Sequence, residues 1–221
     1  MKRAFDLVIF DMDGPLLDSM DCLAEWLCRS VKGHCPTPVT PAIITAAFGP
    51  TEKKIIEQFV ANDLVGQCLD AYHQFYESEH GRVYVYPGID ELLREMKRKG
   101  IPLALCTGKG RRAVEISLGL LGWEDLFQEI ITGDDTVRFK PDPEGVNLIL
   151  GRTRAEKRRT IFIGDGAADI GAARNAGIIG GRAEWGAPGP LPADSAPPDH
   201  SFATLQAFLD VLEGPAGNSY L

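Results

Sequence analysis

Apolar and polar positions along this chain fall into blocks of two kinds. Short runs that are apolar at consecutive positions, Leu7-Val8-Ile9-Phe10, Pro102-Leu103-Ala104-Leu105-Cys106 and Ile161-Phe162-Ile163, read as strands buried on both faces, as in a parallel sheet. Elsewhere apolar residues recur at three- and four-residue spacing, which predicts helices. From residue 88 onward the two kinds alternate: helix Ile89 to Lys99, strand Pro102 to Cys106, helix Arg111 to Leu121, strand Glu129 to Thr132, helix Pro143 to Leu150, strand Thr160 to Ile163 and helix Asp169 to Ala176. Such alternation calls for an α/β fold with a doubly wound parallel sheet and right-handed crossovers. An earlier block breaks the rhythm, because Asp18 to Lys32, Pro41 to Phe48, Glu52 to Val65 and Val65 to His80 read as successive helices, punctuated by Pro36, Pro38, Gly49 and Gly66. Tyr86-Pro87-Gly88 is a turn that ends this block. After Ile178 a short strand leads into the proline-rich segment APGPLPADSAPPD, and a last helix, Phe202 to Leu212, completes the pattern.

The polar residues that interrupt the apolar runs carry the chemistry. Asp11 and Asp13 follow directly on the first strand, at the carboxyl edge where open α/β sheets bind ligands. Two carboxylates two residues apart repel each other unless a cation or a shared proton lies between them. A Mg²⁺ site is the economical explanation, and a solvated turn is the plain alternative. The segment Ile161 to Ile170 repeats the arrangement, with Asp165 after the strand and Asp169 four residues on, so that a helix starting after Gly166 sets both on one face. Thr107 and Gly108 end another strand and supply a hydroxyl and a backbone N–H, which are phosphate ligands. Lys140 lies in a proline-flanked loop, Arg138-Phe139-Lys140-Pro141-Asp142-Pro143. Each has a structural reading as well: Thr107 as a helix cap, Lys140 as a solvated charge, Asp165 and Asp169 as a capped helix start. All four groups nevertheless occur in order at predicted strand ends.

Taken together, DMDGPLLDS, CTGKG, the lysine of FKPDPEG and GDGAAD resemble the motifs of the haloacid dehalogenase superfamily, and within it the phosphoglycolate phosphatase and PpaX pyrophosphatase-like subfamily. VYPGIDELLREMKRKGIPLALCTGK and LFQEIITGDD extend the likeness beyond the motifs. The resemblance implies a helical cap at residues 17–87 inserted into a catalytic core of residues 1–16 and 88–221. It implies Asp11 as nucleophile forming an aspartyl-phosphate and Asp13 as general acid and base. Mg²⁺ is expected on Asp11, Asp13 through its carbonyl, Asp165 and Asp169, and phosphoryl oxygens on Thr107, Gly108 and Lys140. The family's cap geometry would bring Phe48, Pro50, Thr51 and Lys53 to the leaving group. One departure is Pro15, where the family most often has threonine, which removes a hydroxyl and a backbone N–H beside Asp13.

The expected reaction is hydrolysis of a small phosphorylated metabolite, phosphoglycolate-like or a sugar phosphate. Three alternatives stand beside it: a pyrophosphatase, a phosphomutase similar to β-phosphoglucomutase, and a catalytically impaired binding protein. The mutase relatives carry a cap histidine where this chain has Leu23, and a cap-loop lysine and arginine where it has Phe48 and Glu52. Dehalogenase relatives lack the carboxylate of Asp13.

Composition narrows the partners. A net charge of -8 disfavours nucleic acid, whose binding depends on concentrated Lys and Arg. Nothing approaches the ~18 consecutive apolar residues of a membrane span. Five scattered cysteines without a CxxC read as reduced thiols, which suggests a cytoplasmic protein, monomeric or homodimeric.

Overall fold

The apolar run Leu7–Phe10 forms β1 and is buried at all four positions. In the computed structural model, which describes residues 4–213, the chain leaves β1 through a turn into the short β2 (Leu17–Asp18). Helices α1 (Met20–Val31), α2 (Pro41–Ala46), α3 (Glu52–Ile56) and α4 (Val65–Ser78) follow, and β3 (Tyr84–Val85) returns antiparallel to β2. Then come α5 (Ile89–Arg98), β4 (Leu103–Cys106), α6 (Arg111–Leu121), β5 (Glu129–Ile131), α7 (Glu144–Thr153), β6 (Thr160–Gly164), α8 (Ala167–Ala176), β7 (Ile179–Ala183), β8 (His200–Phe202) and α9 (Leu205–Glu213).

The main sheet has the order β5-β4-β1-β6-β7-β8 with every pairing parallel, so β1 sits at its centre. The central strands β1 and β4 are apolar at every position because both faces are covered, and alternate residues enter different clusters. Val8, Phe10, Leu103, Leu105, Ile161 and Ile163 pack with α5, α6 and α9 through Leu93, Val114 and Phe208. Leu7, Ile9, Ala104, Cys106 and Phe162 pack with α7 and α8 through Ile149 and Ala173. This is the doubly wound arrangement expected from the alternating pattern.

Helices α1 and α4 bury Leu23, Trp26 and Leu27 against Tyr72 and Tyr76, with the Trp26 and Tyr76 rings edge to face at 5.4 Å. The same apolar cluster continues into the sheet.

Several elements differ from the sequence expectation. The helix expected over Glu52 to Val65 stops at Ile56, and Ala61 is extended (ψ 147°) before a single 3₁₀ turn at Asn62–Leu64. The pair β2 and β3 has two residues in each strand, too few for any periodicity. The last helix starts at Leu205 instead of Phe202, because His200–Phe202 pairs with β7 as an edge strand. Among the described residues no helix is long and apolar enough to cross a membrane.

Candidate active site

The parallel ladder delivers both acidic loops to one place. Asp11 N–H donates to the Ile163 carbonyl at 2.9 Å, prolonging the β1–β6 pairing by one residue. Its Oδ1 accepts the Met12 N–H at 2.7 Å, which fixes the carboxylate's direction. Gly14 has φ +97°, and a Cβ there would lie 2.3 Å from the Asp165 carboxyl carbon, so only glycine lets the two loops meet. Asp169, on the first turn of α8, uses Oδ2 to accept the Gly166 N–H at 3.1 Å and leaves Oδ1 for the site.

Carboxylate oxygens of Asp11, Asp165 and Asp169 lie within 4.8 Å of one another. Lys140 bridges two of them, with Nζ 2.6 Å from Asp11 Oδ2 and 2.6 Å from Asp169 Oδ1. One ammonium does not balance three carboxylates. Burial pushes the Asp11 carboxyl up to about 7 against the pull of Lys140, and burial together with Asp169 pushes Asp165 up to about 6. An all-oxygen donor set that resists its own ionisation suits a hard divalent cation, whose charge would restore the carboxylates. Burial opposes the charge of Lys140, but Asp11 and Asp169 outweigh it and hold the group above the usual lysine range.

Asp13 faces the opposite side of the site. Ser19 Oγ donates to its Oδ1 at 2.5 Å, and Lys109 Nζ approaches the same oxygen at 3.0 Å. Lys109 is almost wholly buried, with 1% of its side chain exposed, and also donates to the Tyr76 hydroxyl at 2.8 Å. Tyr76 continues to Ser117 at 2.6 Å and Ser117 to His80 Nε2 at 2.8 Å, so a buried polar chain runs from Asp13 into α4 and α6. Thr107 and Gly108 line the cavity over Asp11, and the Thr107 hydroxyl accepts the Lys109 N–H at 3.3 Å. The α2–α3 loop closes on this point: a Cβ at Gly108 would lie 2.6 Å from the Gly49 carbonyl oxygen. Glu52 Oε2 accepts the Gly110 N–H at 2.8 Å and clasps α3 to the loop after β4.

The cavity has a volume of about 180 Å³, below the roughly 300–1,000 Å³ of pockets for drug-sized ligands. Of the expected residues it gathers Asp11, Asp13, Thr107, Gly108, Lys140, Asp165, Asp169, Phe48 and Pro50. Thr51 and Lys53, expected at the leaving group, are not among the residues that line it. Thr51 is buried as the cap of α3, accepting the Lys54 N–H at 3.4 Å, and Lys53 is exposed on the outer face. Glu52 takes the inward place because Glu52, Ile55 and Ile56 share the buried side of α3. That spacing was the signal for Glu52.

Lys109, one residue past the CTG run, had no local signal, since its partners Tyr76 and Asp13 are distant in the chain. Arg182 and Trp185 were missed as well. Arg182 Nε donates to the Asp165 carbonyl at 3.3 Å, and Trp185 Nε1 donates to the Pro15 carbonyl at 2.8 Å. The second contact bears on Pro15: the turn is held through its carbonyl, and Asp13 is held independently by Ser19 and Lys109.

A doubly wound parallel sheet whose central strand and its neighbour converge three carboxylates, joined by a lysine from the loop after β5, defines an α/β enzyme that works at an acidic, cation-fitting centre. The chain belongs to the haloacid dehalogenase-like hydrolases, whose family model matches residues 8–179. It is 27% identical over 207 residues to pyrophosphatase PpaX of Bacillus velezensis, covering 92% of this chain and 94% of the relative. It is 27% identical over 219 residues to phosphoglycolate phosphatase of Pseudomonas putida, covering 95% and 80%. In fold it matches CbbY of Rhodobacter sphaeroides, solved with xylulose-(1,5)-bisphosphate, at a TM-score of 0.80 and 20% identity, over 95% of this chain and 100% of that one.

Proposed function

We propose that this chain is a Mg²⁺-dependent phosphatase that hydrolyses a small phosphorylated metabolite through an aspartyl-phosphate on Asp11. The observation that carries the reading is the convergence of Asp11, Asp165 and Asp169 at one end of the sheet in a chain of this hydrolase family. Residues 17–87 act as a cap over a core formed by residues 1–16 and 88–221. Asp11, Asp165 and Asp169 would hold the cation, which when bound neutralises phosphoryl charge and keeps the nucleophile ionised.

An Asp11 carboxylate oxygen attacks phosphorus, and the bond from phosphorus to the leaving oxygen breaks. Asp13 gives that oxygen a proton, then takes one from the water that cleaves the aspartyl-phosphate. Dividing one displacement between two easier steps is what a carboxylate nucleophile contributes. Lys140 balances charge beside Asp11, while Thr107 and the Gly108 N–H bind phosphoryl oxygens, so positioning and charge neutralisation supply most of the rate. Phe48, Gly49, Pro50 and Glu52 line the cavity from the cap side. The test is turnover of p-nitrophenyl phosphate with Mg²⁺: EDTA abolishes it, and Asp11→Asn removes it while the circular dichroism spectrum is kept. Undiminished turnover in EDTA, or in the Asp11→Asn protein, sinks the proposal.

A further inference from the structure

The leaving-group side of the cavity is walled by Leu23, Leu27, Phe48, Pro50 and Ile55, and its polar groups are the carboxyl of Glu52 and the hydroxyl of Tyr72. Among the described residues that line the cavity, the cations are Lys109 and Lys140, and both are engaged. Lys109 is held by Asp13 at 3.0 Å and Tyr76 at 2.8 Å, and Lys140 by Asp11 and Asp169 at 2.6 Å each. The cap-loop lysines do not help: Lys53 is exposed on the outer face, and Lys54 pairs with Glu57 at 2.9 Å.

Resting on the phosphatase reading, we infer that the substrate is a phosphate monoester whose leaving group is small, uncharged and largely apolar, and that the site rejects a second anionic group beside the phosphoryl. Such a group would be buried among aliphatic walls without a countercharge, next to Glu52, and an unpaired buried anion is strongly unfavourable. A carboxylate or second phosphate on the leaving group meets that penalty. A short alkyl or hydroxyalkyl chain instead gains contact with Phe48 and Ile55. The cavity's volume of about 180 Å³ limits the chain to a few carbons once the phosphoryl group is seated. The polar atoms on this wall are Glu52 Oε1 and the Tyr72 hydroxyl, which donates to it at 3.4 Å and leaves Oε1 a second lone pair. A hydroxyl on the leaving group donates to the first. The cavity therefore discriminates by charge first and by length second.

The experiment uses the full chain with Mg²⁺ and compares kcat/KM for two substrates of similar alkyl leaving group, propyl phosphate and phosphoglycolate, with p-nitrophenyl phosphate as the reactive control. Propyl phosphate is expected to exceed phosphoglycolate by tenfold or more. Phe48→Arg, which sets a cation on the apolar wall, should narrow that ratio at least tenfold by raising the phosphoglycolate value. Phosphoglycolate turned over as well as propyl phosphate or better by the wild-type protein overturns the inference while leaving the phosphatase reading intact. A ratio unmoved in a folded Phe48→Arg protein also overturns it. No turnover of all three, the control included, overturns the phosphatase reading and this inference with it.

Discussion

Replacing Lys109 by methionine removes an ammonium whose side chain is 1% exposed and leaves the apolar stem in place. Asp13 then keeps Ser19 at 2.5 Å and Tyr76 keeps Ser117 at 2.6 Å, so neither loses every partner. Breaking a buried pair by deleting one member costs ~3–5 kcal/mol. Asp13 retains 14% exposure and one strong donor, which sets the expectation at the lower end, about 3 kcal/mol. In a chain of this size that corresponds to a fall of roughly 6–12 °C in Tm. Burial alone would lower the lysine's pKa, but Asp13, Tyr76 and Glu52 outweigh it and hold the group above its ordinary value of 10.5. With a raised folded pKa the contribution is complete below 10.5 and declines only as the pH rises beyond that, so an assay at neutral pH reads it in full. Urea unfolding gives the energy, and a double-mutant cycle with Asp13→Asn isolates the pair, because the cost of Lys109→Met should shrink by more than about 1 kcal/mol once Asp13 is neutral. Steady-state kinetics should record a fall in kcat of tenfold or more with KM little changed. A stability loss under about 1 kcal/mol together with an additive cycle would refute the reasoning.

Asp165→Asn should stabilise the metal-free protein at pH 7.5 by roughly 1–2 kcal/mol, since it relieves a carboxyl pushed up to about 6 that must ionise beside Asp169. Mg²⁺ is expected to raise the Tm of the wild-type protein and not that of this variant, and an equal rise in both would exclude Asp165 as a ligand. His73 is buried, its Nδ1 has no partner, and burial lowers its pKa to about 4. It stays neutral in the fold while the unfolded chain takes up a proton, so stability should drop by up to ~3 kcal/mol as the pH falls from 6.5 towards 4. His73→Leu should remove that part of the pH dependence, and equal slopes for both proteins would show that His73 does not cause it. Pro15→Thr should alter kcat by less than about tenfold, or roughly 1.4 kcal/mol of barrier, and a gain of several orders of magnitude would mean that the native turn is catalytically impaired.

The core and the acidic centre were readable because one physical cause produces both signals. A strand covered on both faces must be apolar at every position, and the first polar residues after it fall at the sheet edge, which is how Asp11, Asp13 and Asp165 stood out. Asp169 followed from helical spacing. Thr51 and Lys53 lie outside the cavity lining, and a loop near the site does not specify which of its residues point inward; on α3 the buried stripe is Glu52, Ile55 and Ile56. Lys109 is of another kind. Its burial depends on Tyr76, 33 residues away, and on closure of the helical block, and no local pattern reports such a contact. The strands β2, β3 and β8 were invisible for want of length, since two or three residues carry no period.

The central claim is that Asp11 carries the phosphoryl group between two half-reactions. Rapid quenching during turnover of p-nitrophenyl phosphate, followed by borohydride, reduces an acyl phosphate to an alcohol and converts the aspartate that bore it into homoserine. Peptide mass mapping should find this conversion at Asp11, dependent on both substrate and Mg²⁺, and should find none in the Asp11→Asn protein. Conversion at another carboxylate, or full turnover with none trapped at any time point, would contradict the account.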